Sequence, residues 1–299
     1  MRHLLALALV LAAPSTPLRA SAPQDSPAAL IEKLKSADKD EAENARRDLL
    51  KAGEAALPPL RDALAKAGDG PTKKQLTVMV ERLETRKAVA GAAAKWGDRW
   101  CSVFMNSLKV GWAHLKTEEK DGKILLTDEV LFQQTKDASV TVKTHVVCEK
   151  DEFLTPAEIT LHVSAPDNTV DFAGQAKDGR MVVKGGGLTV AHKMRPEFMV
   201  DFAVLRLVTV LPRTEDYSFD LLELVKPQQP KPATLKFDRE ESIEFGGRSV
   251  KTRRFLLSDG EQERLYWVDA EGRLLRMQAG AVDVFLSDEK SARDIDTKD

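Results

Sequence analysis

From Trp100 onward the spacing of apolar residues changes from the helical period of 3.6 to alternation, and this change limits the possible folds more than any other feature. The run Glu263–Met277, ERLYWVDAEGRLLRM, shows the later pattern in miniature. Leu265 and Trp267 point to one face of an extended strand and Tyr266 and Val268 to the other, because successive side chains alternate across a pleat. Asp269-Ala270-Glu271-Gly272 supplies a tight reversal, and Arg273–Met277 returns beside the first strand. Both faces carry apolar groups, so both must be covered.

The same reading predicts strands near Trp100–Met105, Lys109–Glu118, Lys123–Gln133, Ser139–Glu149, Ala157–Ser164, Thr169–Ala176 and Arg180–Lys184. They resume near Ala233–Phe245, Arg248–Ser258, Gln262–Asp269, Arg273–Gln278 and Val282–Leu286. Joints such as Asp121-Gly122, Asp178-Gly179, Gly246-Gly247 and Asp259-Gly260 are turn chemistry, and such short connections make neighbours antiparallel. A twisted sheet of about ten strands or more curls or closes.

The alternation breaks at Arg195–Leu211, RPEFMVDFAVLRLVTVL. Pro196 suits a helix start and Pro212 a stop, which predicts a helix over Glu197–Leu211. Only Glu197, Asp201, Arg206 and Thr209 are polar within it, so it belongs inside the concave side of the sheet. The β-branched Val204, Val208, Thr209 and Val210 keep a buried strand open as the alternative. Pro212–Pro232, ending in KPQQPKP, reads as a stiff extended surface loop, and residues 289–299 as a disordered, charged tail.

Ahead of Trp100 the period is helical. Ser26-Pro27 is a cap followed by a first-turn proline, Gly53 ends a second helix, and Asp69-Gly70-Pro71 opens a longer one that stops at Gly97. The expected organisation is α+β. A small all-α segment, residues 25–97, precedes a large curled antiparallel sheet or half-barrel, residues 98–288, that encloses the helix over residues 197–211.

The first residues read as a signal peptide spanning residues 1–22. Arg2 and His3 are followed by the apolar Leu4–Ala13 and by Ala20-Ser21-Ala22, with cleavage after Ala20 or Ala22 because Pro23 sits at the later site. This predicts a periplasmic or secreted protein. No later stretch reaches about 18 apolar residues, so no transmembrane anchor is expected after cleavage. The formal net charge of -2 gives no basic surplus for nucleic acid. In an oxidising compartment Cys101 and Cys148 could close a loop of roughly fifty residues. A simple meander sets their strands three apart, too far for a bridge unless the sheet curls or reorders.

Catalytic signatures are sparse. His114, His145, His162 and His192 show no metal-ligand spacing, Gly185-Gly186-Gly187 lacks the following Lys-Ser/Thr of a phosphate loop, and no Gly-x-Ser-x-Gly elbow occurs. No catalytic residue, metal ligand or cofactor is assigned, and a hydrolase built from scattered histidines and carboxylates is the least supported reading. Phe132, Phe172, Phe255 and Trp267 of the sheet, with Phe198, Met199, Phe202 and Leu205 of the helix, are expected to form an apolar trough. If helix and sheet leave it unfilled, a lipid or acyl group could occupy it; if they fill it, it is a dry core.

Two resemblances bear on function. The string over residues 30–67, with Leu34, the Ala45/Leu49/Leu50 register, Gly53 and the Ala-Leu-Pro-Pro-Leu start of the next helix, resembles a HEAT-type helical repeat. That resemblance implies a protein-interaction scaffold, although stacked repeats need about three units and the segment holds roughly one and a half. Val110-Gly111-Trp112, Phe202-Ala203-Val204-Leu205 and the Tyr266–Leu275 hairpin make Trp100–Leu286 similar to exported bacterial proteins of the periplasmic lipoprotein-carrier-like fold, largely of unknown function. The carriers hold acyl chains in their concavity. The resemblance therefore implies a non-enzymatic envelope protein that binds an apolar ligand or an envelope protein partner, with a scaffold acting through the HEAT-like helices as the alternative.

Overall fold

The computed structural model describes residues 25–135, 138–212, 217–225 and 229–295; the expected signal peptide lies outside them. Four helices come first: α1 (Pro27–Leu34), α2 (Lys39–Ala52), α3 (Leu57–Lys66) and α4 (Pro71–Trp96). Their ends follow from local chemistry. Ser26 Oγ accepts from the Ala29 N–H, the Asp38 carboxylate accepts from Asp40 and Glu41, and Gly97 leaves α4 at φ +48°. Leu30, Leu34, Leu49, Leu57 and Leu60 all turn inward to make one small core. The leucines that would form a docking patch are therefore internal, and four helices are too few for a stacked array.

Strands β1 (Asp98–Met105), β2 (Leu108–Lys120), β3 (Lys123–Thr135), β4 (Ala138–Cys148), β5 (Pro156–Ala165), β6 (Asn168–Lys177), β7 (Arg180–Gly185) and β8 (Leu188–Lys193) follow. After β9 (Phe198–Val200) and the helix α5 (Asp201–Val210) come β10 (Tyr217–Leu222), β11 (Lys231–Phe245) and β12 (Arg248–Ser258). The chain finishes with β13 (Glu263–Val268), β14 (Leu274–Ala279), β15 (Val282–Ser287) and a short helix, α6 (Glu289–Arg293). All fifteen strands among the described residues join one sheet in the order β8-β7-β6-β5-β4-β3-β2-β1-β15-β14-β13-β12-β11-β10-β9. Its two halves are meanders, and the pairing of β1 with β15 joins them. The outermost strands do not pair with each other, so the sheet curls without closing.

Helix α5 lies where the two arms converge. Ala203, Val204, Leu207 and Val208 are fully buried among Leu126, Val146 and Ile159 of one arm and Leu235, Phe255 and Val268 of the other. Each larger side chain contributes roughly 1.5–3 kcal/mol of apolar burial as an upper estimate. The helical segment is seated on this assembly through α4. Trp96 Nε1 donates to Thr209 Oγ1 at 2.7 Å, and Glu197 accepts from Arg46 at 2.8 Å and Arg82 at 3.0 Å.

Three expectations need correction. The helix begins at Asp201, not Glu197, because Phe198–Val200 instead pair in parallel with Asp220–Leu222 and so satisfy their backbone in the sheet. Pro212–Pro232 is not all loop, since Tyr217–Leu222 is a strand that buries Tyr217, Phe219, Leu221 and Leu222. The tail is held at its start: Ala292 is buried, and the Arg293 guanidinium lies 4.4 Å from the Trp100 ring centre and 4.9 Å from that of Trp112.

Gly111 marks the tightest approach in the sheet. A Cβ there would stand 1.8 Å from the Leu131 carbonyl oxygen, beside the bulge at Val103/Phe104 where β1 and β2 change register. Relief requires β3 to move away as backbone. Gly111→Ala is expected to cost about 3 kcal/mol, the upper end for overpacking, as read from the midpoint of urea unfolding.

Candidate functional site

On one side of α5 the interior is packed solid, and on the other it is not. Residues directly opposite in neighbouring strands share a face, so Cys101 aligns with Ala113 and Leu286, Ala113 with Val130, and Val103 and Met277 with Val284. These inward groups of β1, β2, β3, β14 and β15 face Phe202 and Leu205 of α5 across a trough of about 250 Å³. Nearly every wall is apolar. Arg276, the charged residue at its edge, sends its guanidinium to Asp283 at 2.7 Å and over the Trp267 ring at 4.6 Å. Val225 stands at the rim with 48% of its surface exposed, and Phe132, Phe202 and Leu205 are half-buried. A larger hollow of about 590 Å³ lies among α1, α3 and α4. It is open and mixed in charge, with Glu32, Lys35, Asp62 and Lys66 around it.

Of the eight expected trough residues, the structure brings Phe132, Phe202 and Leu205 together around this space. Phe198, Met199 and Phe255 sit fully buried in the filled part of the core, and Phe172 packs half-buried at its margin on β6. Trp267 belongs to the outer face, contrary to expectation. Phe255 opposite Tyr266 fixes Tyr266 and Val268 as the inward pair, and the Trp267 Nε1 then donates to Glu241 Oε1 at 2.6 Å under Arg254 and Arg276. The walls from β1 and β15 escaped the sequence reading because they meet only through the long-range closure of one meander on the other.

A buried ion pair stands next to the trough's apolar lining. Arg206, one residue beyond Leu205, makes a double hydrogen bond with Asp128 of β3, one limb at 2.7 Å, and its other donors reach Thr117 Oγ1 and the Lys116 carbonyl, each at 3.3 Å. Burial raises the Asp128 carboxyl above the usual carboxylate range, and the Arg206 charge opposes that shift. Cys101 and Cys148 are separate buried thiols on β1 and β4, three strands apart. Burial pushes the Cys101 thiol up to about 12 and the Cys148 thiol higher still, so both remain protonated and unreactive.

The histidines are dispersed over the sheet. His114 bonds Asp98 at 2.6 Å and stacks on Trp100, His162 bonds Asp171 at 2.7 Å, and His145 faces Thr127 at 3.1 Å. Among the described residues no three His, Cys, Asp or Glu side chains gather as a metal-binding set. No helix among them is long and apolar enough to cross a membrane.

No protein-family model matches the chain, and no curated protein matches it. Among solved structures it is similar to a beta-barrel-like protein of the domain of unknown function DUF1849 from Brucella abortus, at 8% identity and a TM-score of 0.43 over 64% of this chain and 96% of that one. It is also similar to a DUF1089 family protein from Pseudomonas aeruginosa, at 12% identity and a TM-score of 0.33 over 56% of this chain and 90% of that one. The chain is an α+β protein whose larger part is a curled, unclosed β-sheet wrapped on a helix.

Proposed function

We propose that the chain is an exported binding protein that accommodates an apolar ligand, an acyl chain in particular, in the trough between α5 and strands β1, β2, β14 and β15. The observation that carries this reading is an apolar space of about 250 Å³ left unfilled inside a core whose other side chains are packed to near-zero exposure. Lining atoms of such a void lack contacts on one side, and a hydrocarbon restores them. Since an apolar cavity of about 150 Å³ takes one benzene ring, this one takes a chain on the order of ten carbons. At roughly 0.8 kcal/mol per buried CH₂, less the cost of association, the expected Kd lies between about 1 μM and 1 mM. The Leu4–Ala13 run with its small-residue cleavage site supports export, and the resemblance to the lipoprotein-carrier fold supports an acyl ligand.

The test is displacement of an uncharged polarity-sensitive dye by decanol. The expected result is saturable displacement, weakened about tenfold or more by Leu205→Trp, which fills the trough from α5, and likewise by Val284→Trp, which fills it from β15. Melting curves of both variants report whether the fold is kept. A folded wild-type chain that takes up neither dye nor decanol would overturn the reading.

A further inference from the structure

We infer that the trough selects anionic amphiphiles, such as a medium-chain carboxylate, whose head is bound by Arg99 at the trough's inner end. This rests on the acyl-binding reading above and adds the chemistry of the ligand's head.

The trough does not end in a closed apolar wall. Beyond Cys101, Leu115, Leu205, Leu274 and Leu286 a small gap of about 20 Å³ continues between the end of α4 and α5, and Arg99 lines it with Trp96 and Arg206. That is room for one small group, such as a carboxylate oxygen or a water. Arg99 points into this gap because it lies opposite Leu115, on the same inward face of β1 as Cys101 and Val103.

The two arginines at this end differ in what they hold. Arg206 is fully engaged by Asp128. Arg99 donates to the Lys95 carbonyl at 2.7 Å, and among the described residues no carboxylate lies within ion-pair distance of it. Asp269, whose charge acts on Arg99 from beyond ion-pair distance, is bound by Arg273 at 2.7 Å. Two guanidinium groups thus line the end of a channel whose other charged residue, Arg276, is paired with Asp283, and of the two only Arg206 has a carboxylate partner among the described residues. Burial and the Arg206 charge both depress the Arg99 pKa, the direction expected of a cation short of a counter-ion. A ligand carboxylate supplies that charge to a planar fork with free donors, while its hydrocarbon fills the apolar space.

Decanoate and decanol, which share a chain and differ in the head, separate the two readings. The wild-type protein at low salt is expected to bind decanoate about tenfold or more tightly than decanol, as a charge-assisted hydrogen bond provides. Arg99→Gln is expected to bring decanoate affinity down to that of decanol measured on the same variant, while Arg99→Lys keeps part of the preference with a steeper salt dependence. Equal binding of the two ligands by wild type, or a decanoate preference that survives Arg99→Gln in a folded variant, overturns the anion inference and leaves the apolar trough standing. Failure of both ligands to bind overturns the two readings together.

Discussion

Replacing Asp128 by alanine is expected to lower the free energy of unfolding by about 3–5 kcal/mol, because it leaves the Arg206 guanidinium inside the sheet without its counter-charge. The pair is as enclosed as any among the described residues, with Arg206 3% and Asp128 1% exposed. Thr117 Oγ1 and the Lys116 carbonyl remain as neutral acceptors in the variant, and neither offsets a whole charge. The loss reflects a stranded cation and not the net worth of the pair. The double variant Asp128→Leu with Arg206→Met, which replaces both charges by apolar groups, is therefore expected to recover most of the stability. Urea unfolding monitored by tryptophan fluorescence gives both values, with an unchanged slope showing that the denatured state is the same. A cost below about 1 kcal/mol for Asp128→Ala would mean that water reaches the pair and that it is less enclosed than its exposures indicate.

The architecture was legible in the sequence wherever spacing alone determines it. Alternation from Trp100 onward, with Asp-Gly and Gly-Gly joints, specifies strands and antiparallel neighbours, and the greasy stretch ending at Leu211 had to go inside. Its four polar residues could be named from sequence, but their partners could not. Glu197 receives Arg46 and Arg82, Asp201 accepts from the Phe202 and Leu224 N–H groups, Arg206 holds Asp128, and Thr209 accepts from Trp96. Every one of these contacts except the Asp201–Phe202 bond crosses more than twenty positions in the chain, and local period carries no information at that range. The site failed for the same reason. Phe132, Phe202 and Leu205 could be picked out as inward and apolar, whereas Val103 and Val284 became walls only when β1 paired with β15. Trp267 went to the wrong face because both faces of its hairpin are apolar, so composition gave no preference and the register of β12 decided. The strand Tyr217–Leu222 was hidden by the prolines on either side of it, which suggested loop.

The pH dependence of stability is expected to change slope when Asp201 is replaced by asparagine. Asp201 opens α5 half-buried, and desolvation of its carboxyl pushes the pKa from an ordinary 3.8 up to about 7, with Arg264 and the Leu224 and Phe202 N–H groups opposing the shift. An acid whose folded pKa lies above its unfolded value binds its proton more tightly when folded. Its contribution is therefore fully present below about pH 4 and is lost as pH rises through about 7. Burial also raises the carboxyls of Asp128, Asp151 and Glu152, so the wild-type curve alone does not isolate this residue. The difference between Asp201→Asn and wild type does. Asparagine keeps an oxygen to accept from Phe202 at 3.0 Å and Leu224 at 3.4 Å but cannot ionise. Relative to wild type, the variant is expected to gain about 2–4 kcal/mol between pH 4 and pH 8, reaching its largest advantage at the alkaline end. Urea midpoints at pH 4, 6 and 8 measure this. A difference that stays flat across the three would show that Asp201 is ionised in the folded protein throughout, and that the start of α5 is wetter than its burial indicates.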